Sequence, residues 1–187
     1  SGTVDCEAVV NCAGIWSPEI GALAGVSVPV QPAHHQYFVT DRIEGLQRHI
    51  PTIRDTDKEV YFKEEVGGLI VGFYEPNPIP YREYPIPPGH EFKLMPENVA
   101  QVEPFLDRAY HRFPALETVG VKRWFNGIES FTEDGMFILG EAPEVAGFFI
   151  ATGFNAFGIA SAGGAGLAMA HWILEGAPPF DLWPVDI

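Results

Sequence analysis

Two histidines and a tyrosine are the first residues in this sequence with chemistry to offer. His34 and His35 stand side by side in PAHHQYFVT, and Tyr61 stands in EVYFKEE. An imidazole with a reference pKa of about 6.5 exchanges protons at neutral pH, and a phenol donates a hydrogen bond to an amine or a ring nitrogen. As a metal pair the histidines fit poorly, because strand neighbours point to opposite faces. Only two cysteines exist. Cys6 and Cys12 flank the apolar EAVVN run without zinc-ligand spacing, and they read as buried, reduced thiols. Taken alone, adjacent histidines are ordinary loop or strand residues, and Tyr61 is an ordinary core tyrosine. Glu129, Glu133 and Asp134 in IESFTEDG could suggest paired carboxylates for hydrolysis.

A second chemical feature is a glycine turn. In GFFIATGFNAFGIASAGG an apolar run meets Gly153, then Gly158, then a helix of small residues. A helix entered this way presents unpartnered amides and partial positive charge. The spacing is G-x-x-x-x-G, and the dinucleotide pattern G-x-G-x-x-G does not occur in the chain. Within the helix, Ile159, Gly163, Gly166, Ala170 and Ile173 share one face. Gly163, Gly164 and Gly166 each cost about 1 kcal/mol relative to alanine, so close backbone approach to a neighbouring element is expected as the return.

These residues need elements to hold them. CEAVVNCAG reads as a short buried strand. SPEIGALAG reads as a helix with Ser17 as N-cap, Pro18 in first position and Gly25 past its end. QYFVT is a strand, and EVYFKEEVGGLIVGFY is a hairpin turning at VGG. Alternation then places Tyr61, Lys63 and Glu65 on one face and Phe62 on the other. The proline-rich EPNPIPYREYPIPPG is expected to be an extended surface loop or lid. MPENVAQVEPFLDRAYHRFP is expected to be an amphipathic helix pair, interrupted or kinked at Pro104. VGVKRWFNGIESF and GMFILG are strand-like. The order predicts an α/β (α+β) chain: a partial Rossmann-like layer built from residues 1–29 and 132–187, with a β-rich segment, 30–131, between them.

Composition narrows the function classes. The 187 residues are 47% hydrophobic and 19% charged, as in a globular protein. A net charge of −14 argues against a nucleic-acid or anionic-membrane surface. No apolar run approaches the ~18 residues of a membrane span. The start, SGTVDCEAVV, has neither signal nor transit character and reads as a chain entered in mid-fold.

Beyond these readings, the sequence resembles a known family. VVNCAGIWSPEIG, PAHHQYFVT, VYFKEEVGGLIVGFYEP, NGIESFTEDGMFILGEAPEVAGFFIATGFNAFGIASAGG and DLWPVDI look like the dimethylglycine and sarcosine dehydrogenase branch of the D-amino-acid-oxidase-like flavoproteins. The resemblance implies that the chain is a C-terminal part of an FAD domain. It implies that the pyrophosphate turn, and the histidine that often bonds covalently to FAD, precede it, and that a tetrahydrofolate-binding region often follows. Gly153, Phe154 and Asn155 are then expected to close over the flavin, with the helix start at Gly158 and Ile159 aimed at the N1–C2=O edge. Ala13 and Gly14 would let the backbone approach FAD, with Trp16 packed nearby, and IESFTEDG becomes a turn near the flavin.

The histidine before Q-Y, His35, and the tyrosine before an aromatic, Tyr61, inherit active-site roles. The implied reaction is oxidative demethylation of dimethylglycine or sarcosine, with electrons passed to an electron-transfer flavoprotein or oxygen. The setting is a bacterial cytoplasm or the mitochondrial matrix. Arg54, Lys63, Lys122 and Arg123 are candidates for the substrate carboxylate, and nothing in the sequence chooses among them. Two alternatives stand beside this: a regulatory subunit that keeps the fold without the chemistry, and a nicotinamide enzyme, which would require G-x-G-x-x-G. Residues 1–187 alone are expected to hold FAD weakly.

Overall fold

The computed structural model describes residues 2–83 and 85–187. They form two compact units, one of residues 1–33, 80–88 and 129–187, the other of 34–79 and 89–128.

The first unit is built on a three-stranded sheet. β1 (Val9–Asn11) runs parallel to β8 (Phe148–Thr152), which pairs antiparallel with β7 (Ile138–Glu141). Alternation along β7 and β8 gives the sheet two apolar faces. Ile138, Phe148 and Ile150 pack against Val26, Val28 and Val30, whereas Leu139 and Phe149 pack against Ala168 and Met169. Those last two belong to α3 (Gly158–Glu175), which ends at a left-handed Gly176.

Helix α1 (Ser17–Leu23) follows β1 and has Gly25 at φ +76° just beyond its end. Ser17 is not its N-cap. Its Oγ instead donates to Thr152 Oγ1 at 2.8 Å, a tertiary bond that outcompetes the local one. The expected burial of β1 and the cysteines does not hold either. Val9 and Val10 are exposed, as are Cys6 and Cys12, because the outer edge of β1 has no strand beside it among the described residues.

The second unit is a five-stranded sheet of order β3-β4-β5-β2-β6, with β2 Gln31–Thr40, β3 Ile53–Asp55, β4 Val60–Glu65, β5 Gly68–Phe73 and β6 Val121–Phe131. Phe38, Val60, Phe62, Leu69, Val71 and Phe73 point to one face. There they meet Val102, Phe105 and Ala109 of α2 (Val99–Arg112). α2 is one continuous helix with Pro104 inside it, where a helix pair interrupted or kinked at that residue was expected. The forfeited amide bond near its start is outweighed by the buried face on either side of the proline. Asn98 caps it by accepting from Gln101 N at 3.3 Å. Ion pairs Arg108–Glu59 and Arg112–Asp55 clip its far end to the β3–β4 turn.

The proline-rich segment is fastened rather than loose. Residues 80–88 belong to the first unit, where Tyr81 N donates to Pro32 O at 2.8 Å and Ile86 N to Glu19 Oε1 at 2.7 Å. Among the described residues no helix is long and apolar enough to cross a membrane.

Candidate cofactor and substrate sites

In the first unit, the parallel pairing of β1 and β8 sets two turns side by side, at the strand ends where open α/β sheets bind ligands. A buried polar chain ties them together. Asn11 Nδ2 donates to Ser17 O at 2.9 Å, Ser17 Oγ to Thr152 Oγ1, and Thr152 Oγ1 to Gly14 O at 3.3 Å. Between β8 and α3 the backbone turns through three left-handed residues, Gly153, Asn155 and Ala156, at φ +67°, +50° and +66°. Two of these are not glycine, a strain that the surroundings must hold in place.

The Asn155 side chain does much of that holding. Its Oδ1 accepts from Thr132 N at 2.9 Å, and its Nδ2 donates to Gly153 O at 2.7 Å and Thr132 Oγ1 at 3.1 Å. Asn155 is therefore a brace, and what its turn offers outward is backbone. Gly153 is required twice over, by its φ and because a Cβ would sit 2.6 Å from Thr132 Cγ2.

A cavity of about 550 Å³ opens beside these turns, lined by Gly14, Thr152, Phe154, Gly158, Gly166 and Ala170 among others. Of the residues expected to touch the cofactor, Gly14, Phe154 and Gly158 line it. Ala13, Gly153 and Asn155 sit in its turns, Trp16 is half-buried outside the lining, and Ile159 is fully exposed. Glu129 and Ser130 also line it, from the end of strand β6. The turn expected at IESFTEDG starts later, at residues 133–135.

The helix glycines do not meet a neighbouring element. A Cβ at Gly163, Gly164 or Gly166 would contact nothing within 4 Å. No side chain caps the start of α3 among the described residues. A bare small-residue surface, a hollow and uncapped helix amides suit a flat aromatic group with a polar edge, as a flavin has. A larger hollow of about 750 Å³, lined by Val26, Gln31, Tyr81 and Arg82 among others, lacks these features.

In the second unit, the sheet face opposite α2 carries the titratable groups. The register places Tyr37, Gly72, Tyr61 and Arg54 in one row across β2, β5, β4 and β3. His35 lies two residues from Tyr37 on the same face, and His34 points the other way. Gly72 leaves a gap in the row, and the Tyr61 ring lies across it: a Cβ on residue 72 would be 2.0 Å from Tyr61 Cζ and 2.2 Å from its Oη.

Tyr74 is the hub of the cluster. Its ring centroid is 5.2 Å from that of Tyr61 and 6.4 Å from that of His35, and the Arg54 guanidinium stacks over it at 4.7 Å. Burial raises the Tyr74 phenol above the ordinary tyrosine range, with Arg54 pulling the other way. Tyr37, stacked on Phe125 at 4.8 Å, is also raised, first by burial. Both phenols are therefore neutral hydrogen-bond donors at physiological pH.

Among the four candidate cations, Arg54 is the one stacked on this cluster. Arg123 lies over Phe125 at 4.5 Å, and Lys63 pairs with Glu65 at 3.4 Å. Tyr74, Gly72 and Glu75 were not singled out in the sequence. The signal was there in GFYEP, where the strand alternation runs on past Gly72 to the next residue of that face.

Comparison with known proteins follows this geometry. A family model described as FAD dependent oxidoreductase matches residues 1–172. The chain is 42% identical over 186 residues to mitochondrial sarcosine dehydrogenase of Mus musculus, covering all of this chain and 20% of that protein. It is 35% identical over 192 residues to the mitochondrial pyruvate dehydrogenase phosphatase regulatory subunit of Mus musculus, covering 21% of it. Among solved structures, glycine oxidase from Geobacillus kaustophilus superposes with a TM-score of 0.72 at 28% identity, over 99% of this chain and 46% of that one. The chain thus spans about a fifth of the length of the curated relatives it matches.

Proposed function

Because this chain belongs to the FAD dependent oxidoreductase family, we propose that it is part of an enzyme that oxidatively demethylates an N-methylated glycine, sarcosine or dimethylglycine. The observation that carries this reading is the face of the second unit's sheet away from α2, where His35, Tyr61, Tyr74 and Arg54 converge. The 42% identity to a sarcosine dehydrogenase supports the substrate class.

The chain's own residues do four things in this reaction. Gly14, Phe154 and Gly158, with the uncapped start of α3, would hold the flavin of FAD, and the helix amides would favour negative charge at its polar edge. When bound, FAD supplies the two-electron acceptor. Arg54 receives the substrate carboxylate, a charge-assisted contact that the Tyr74 ring orients. His35 takes the proton from the substrate ammonium, because the amine needs its lone pair to expel hydride from the N-methyl carbon. Tyr61 donates a hydrogen bond that holds the amine or the imidazole. The resulting iminium hydrolyses to glycine or sarcosine and formaldehyde, or its one-carbon unit passes to tetrahydrofolate. An electron-transfer flavoprotein or oxygen would be the final electron acceptor.

The regulatory reading remains attached to one relative, the phosphatase subunit. One experiment separates the two. Full-length protein mixed anaerobically with sarcosine or dimethylglycine should bleach its flavin, and His35→Ala and Tyr61→Phe should each slow bleaching about a hundredfold. Wild-type protein that fails to bleach with either amine supports the regulatory reading. Unchanged rates in both variants refute the roles assigned to the two side chains.

A further inference from the structure

Glu75 directly follows Tyr74 at the end of β5, and its side chain is only 4% exposed. Its Oε2 lies 3.3 Å from His35 Nδ1, and its Oε1 is buried without a hydrogen-bond partner among the described residues. A carboxylate removed from water is unfavourable unless its oxygens are bonded, and a purely structural site would satisfy both. Among the described residues this one is bonded only to the imidazole that faces the substrate side of the sheet.

We infer that Glu75 is the positioning residue of His35: it accepts the Nδ1 proton and so fixes the tautomer whose Nε2 lone pair receives the proton of the substrate ammonium. The inference rests on the amine-oxidation reading above. The step balances simply. The substrate ammonium N–H bond breaks, its proton forms a bond to Nε2, and the nitrogen keeps the electron pair. The imidazolium produced is offset by the Glu75 carboxylate, 3.3 Å from Nδ1. Glu75 acts through His35 and does not touch substrate.

Among the described residues of the second unit, the other titratable and charged groups on this face are Tyr37 on β2, Tyr74 just past the end of β5, Tyr61, Lys63 and Glu65 on β4, Arg54 on β3 and Arg123 on β6. Burial keeps the Tyr37 and Tyr74 phenols protonated, and Lys63 and Glu65 pair with each other. Glu75 is the anion in direct contact with the imidazole.

The test uses full-length flavin-loaded enzyme with sarcosine, comparing wild type, Glu75→Gln, Glu75→Ala and His35→Asn. Flavin reduction is followed anaerobically across pH, and the tautomer of His35 is read by ¹⁵N NMR of ring-labelled histidine. Glu75→Gln keeps the shape and loses the charge. Its reduction-rate inflection should move about one unit to lower pH, and its plateau should fall about tenfold. Glu75→Ala should fall further, and its His35 resonances should change from Nδ1–H to a mixture of tautomers.

A wild-type pH profile in Glu75→Gln, alongside an impaired His35→Asn, overturns the role of Glu75 alone. A wild-type profile in His35→Asn overturns the reading of His35, and this inference with it. The isosteric Gln variant carries the test by itself where Glu75→Ala does not fold.

Discussion

At residue 72 a missing side chain holds the Tyr61 phenol in place. The Tyr61 ring occupies the space a Cβ would fill, so its orientation is a property of the neighbouring strand as much as of Tyr61. Gly72→Ala is therefore expected to displace the ring while sparing the fold, since residue 72 lies on the face away from the α2 core. Anaerobic flavin reduction in the full-length protein should slow about a hundredfold, with far-UV circular dichroism unchanged. A wild-type rate would mean that Tyr61 needs no fixed pose. Much of this site could be read in the chain itself. Strand alternation alone put Tyr61 on the face opposite Phe62 and separated His35 from His34. Gly72, Tyr74 and Glu75 stayed hidden, and Arg54 stood undistinguished among four cations, because their meeting depends on cross-strand register, which no single strand specifies.

Elements in this chain succeed or fail by tertiary competition. Ser17 and Pro104 show it most clearly: one leaves a helix cap for a partner 135 residues away, and the other is carried inside α2 by the apolar face around it. Local pattern found helix in both places, and misjudged the cap of the first and the number of helices in the second. The β4–β5 hairpin carries a local conflict of its own. Val66 and Gly67 both have positive φ, +50° and +86°, a two-residue turn that favours Asn-Gly. A β-branched residue is strained there. Val66→Asn should stabilise the protein by about 1 kcal/mol, read as a rise of a few degrees in melting temperature.

At the other end of the same sheet, Arg112 clips α2 to Asp55, and this hydrogen bond is the leading cause that lowers the Asp55 pKa. A carboxyl lowered in the folded state contributes stability that is complete above its unfolded pKa of about 3.9 and is lost as pH falls through the folded value. Arg112→Ala should thus shift the acid-unfolding midpoint upward while changing little of the pH dependence above about pH 5. An unchanged midpoint, followed by tryptophan fluorescence, would show that the clip is idle.

On the scale of the whole chain, the surface proposed to take the flavin is one-sided. The turns of β1 and β8, the cavity beside them and the glycine-rich side of α3 offer backbone and small side chains, and G-x-G-x-x-G is absent from the sequence. Residues 1–187 produced alone should accordingly purify without visible flavin absorbance, even when FAD is added, whereas the full-length protein should be yellow. Coloured protein from the short chain would show that these contacts suffice. The α/β character was legible here because βα signals sit at both ends. The refastening of residues 80–88 to the first unit was not, since prolines exclude helix and central strand but say nothing about where an extended segment lands.

The two units are threaded, with β2 passing from one into the other at 33/34 and β6 at 128/129. Anyone recombining this protein with a relative of different substrate preference must therefore exchange 34–79 and 89–128 as separate cassettes, keep the parental 80–88 between them, and place two of the crossovers inside continuous strands, where a register slip of one residue would turn every imported side chain to the opposite face.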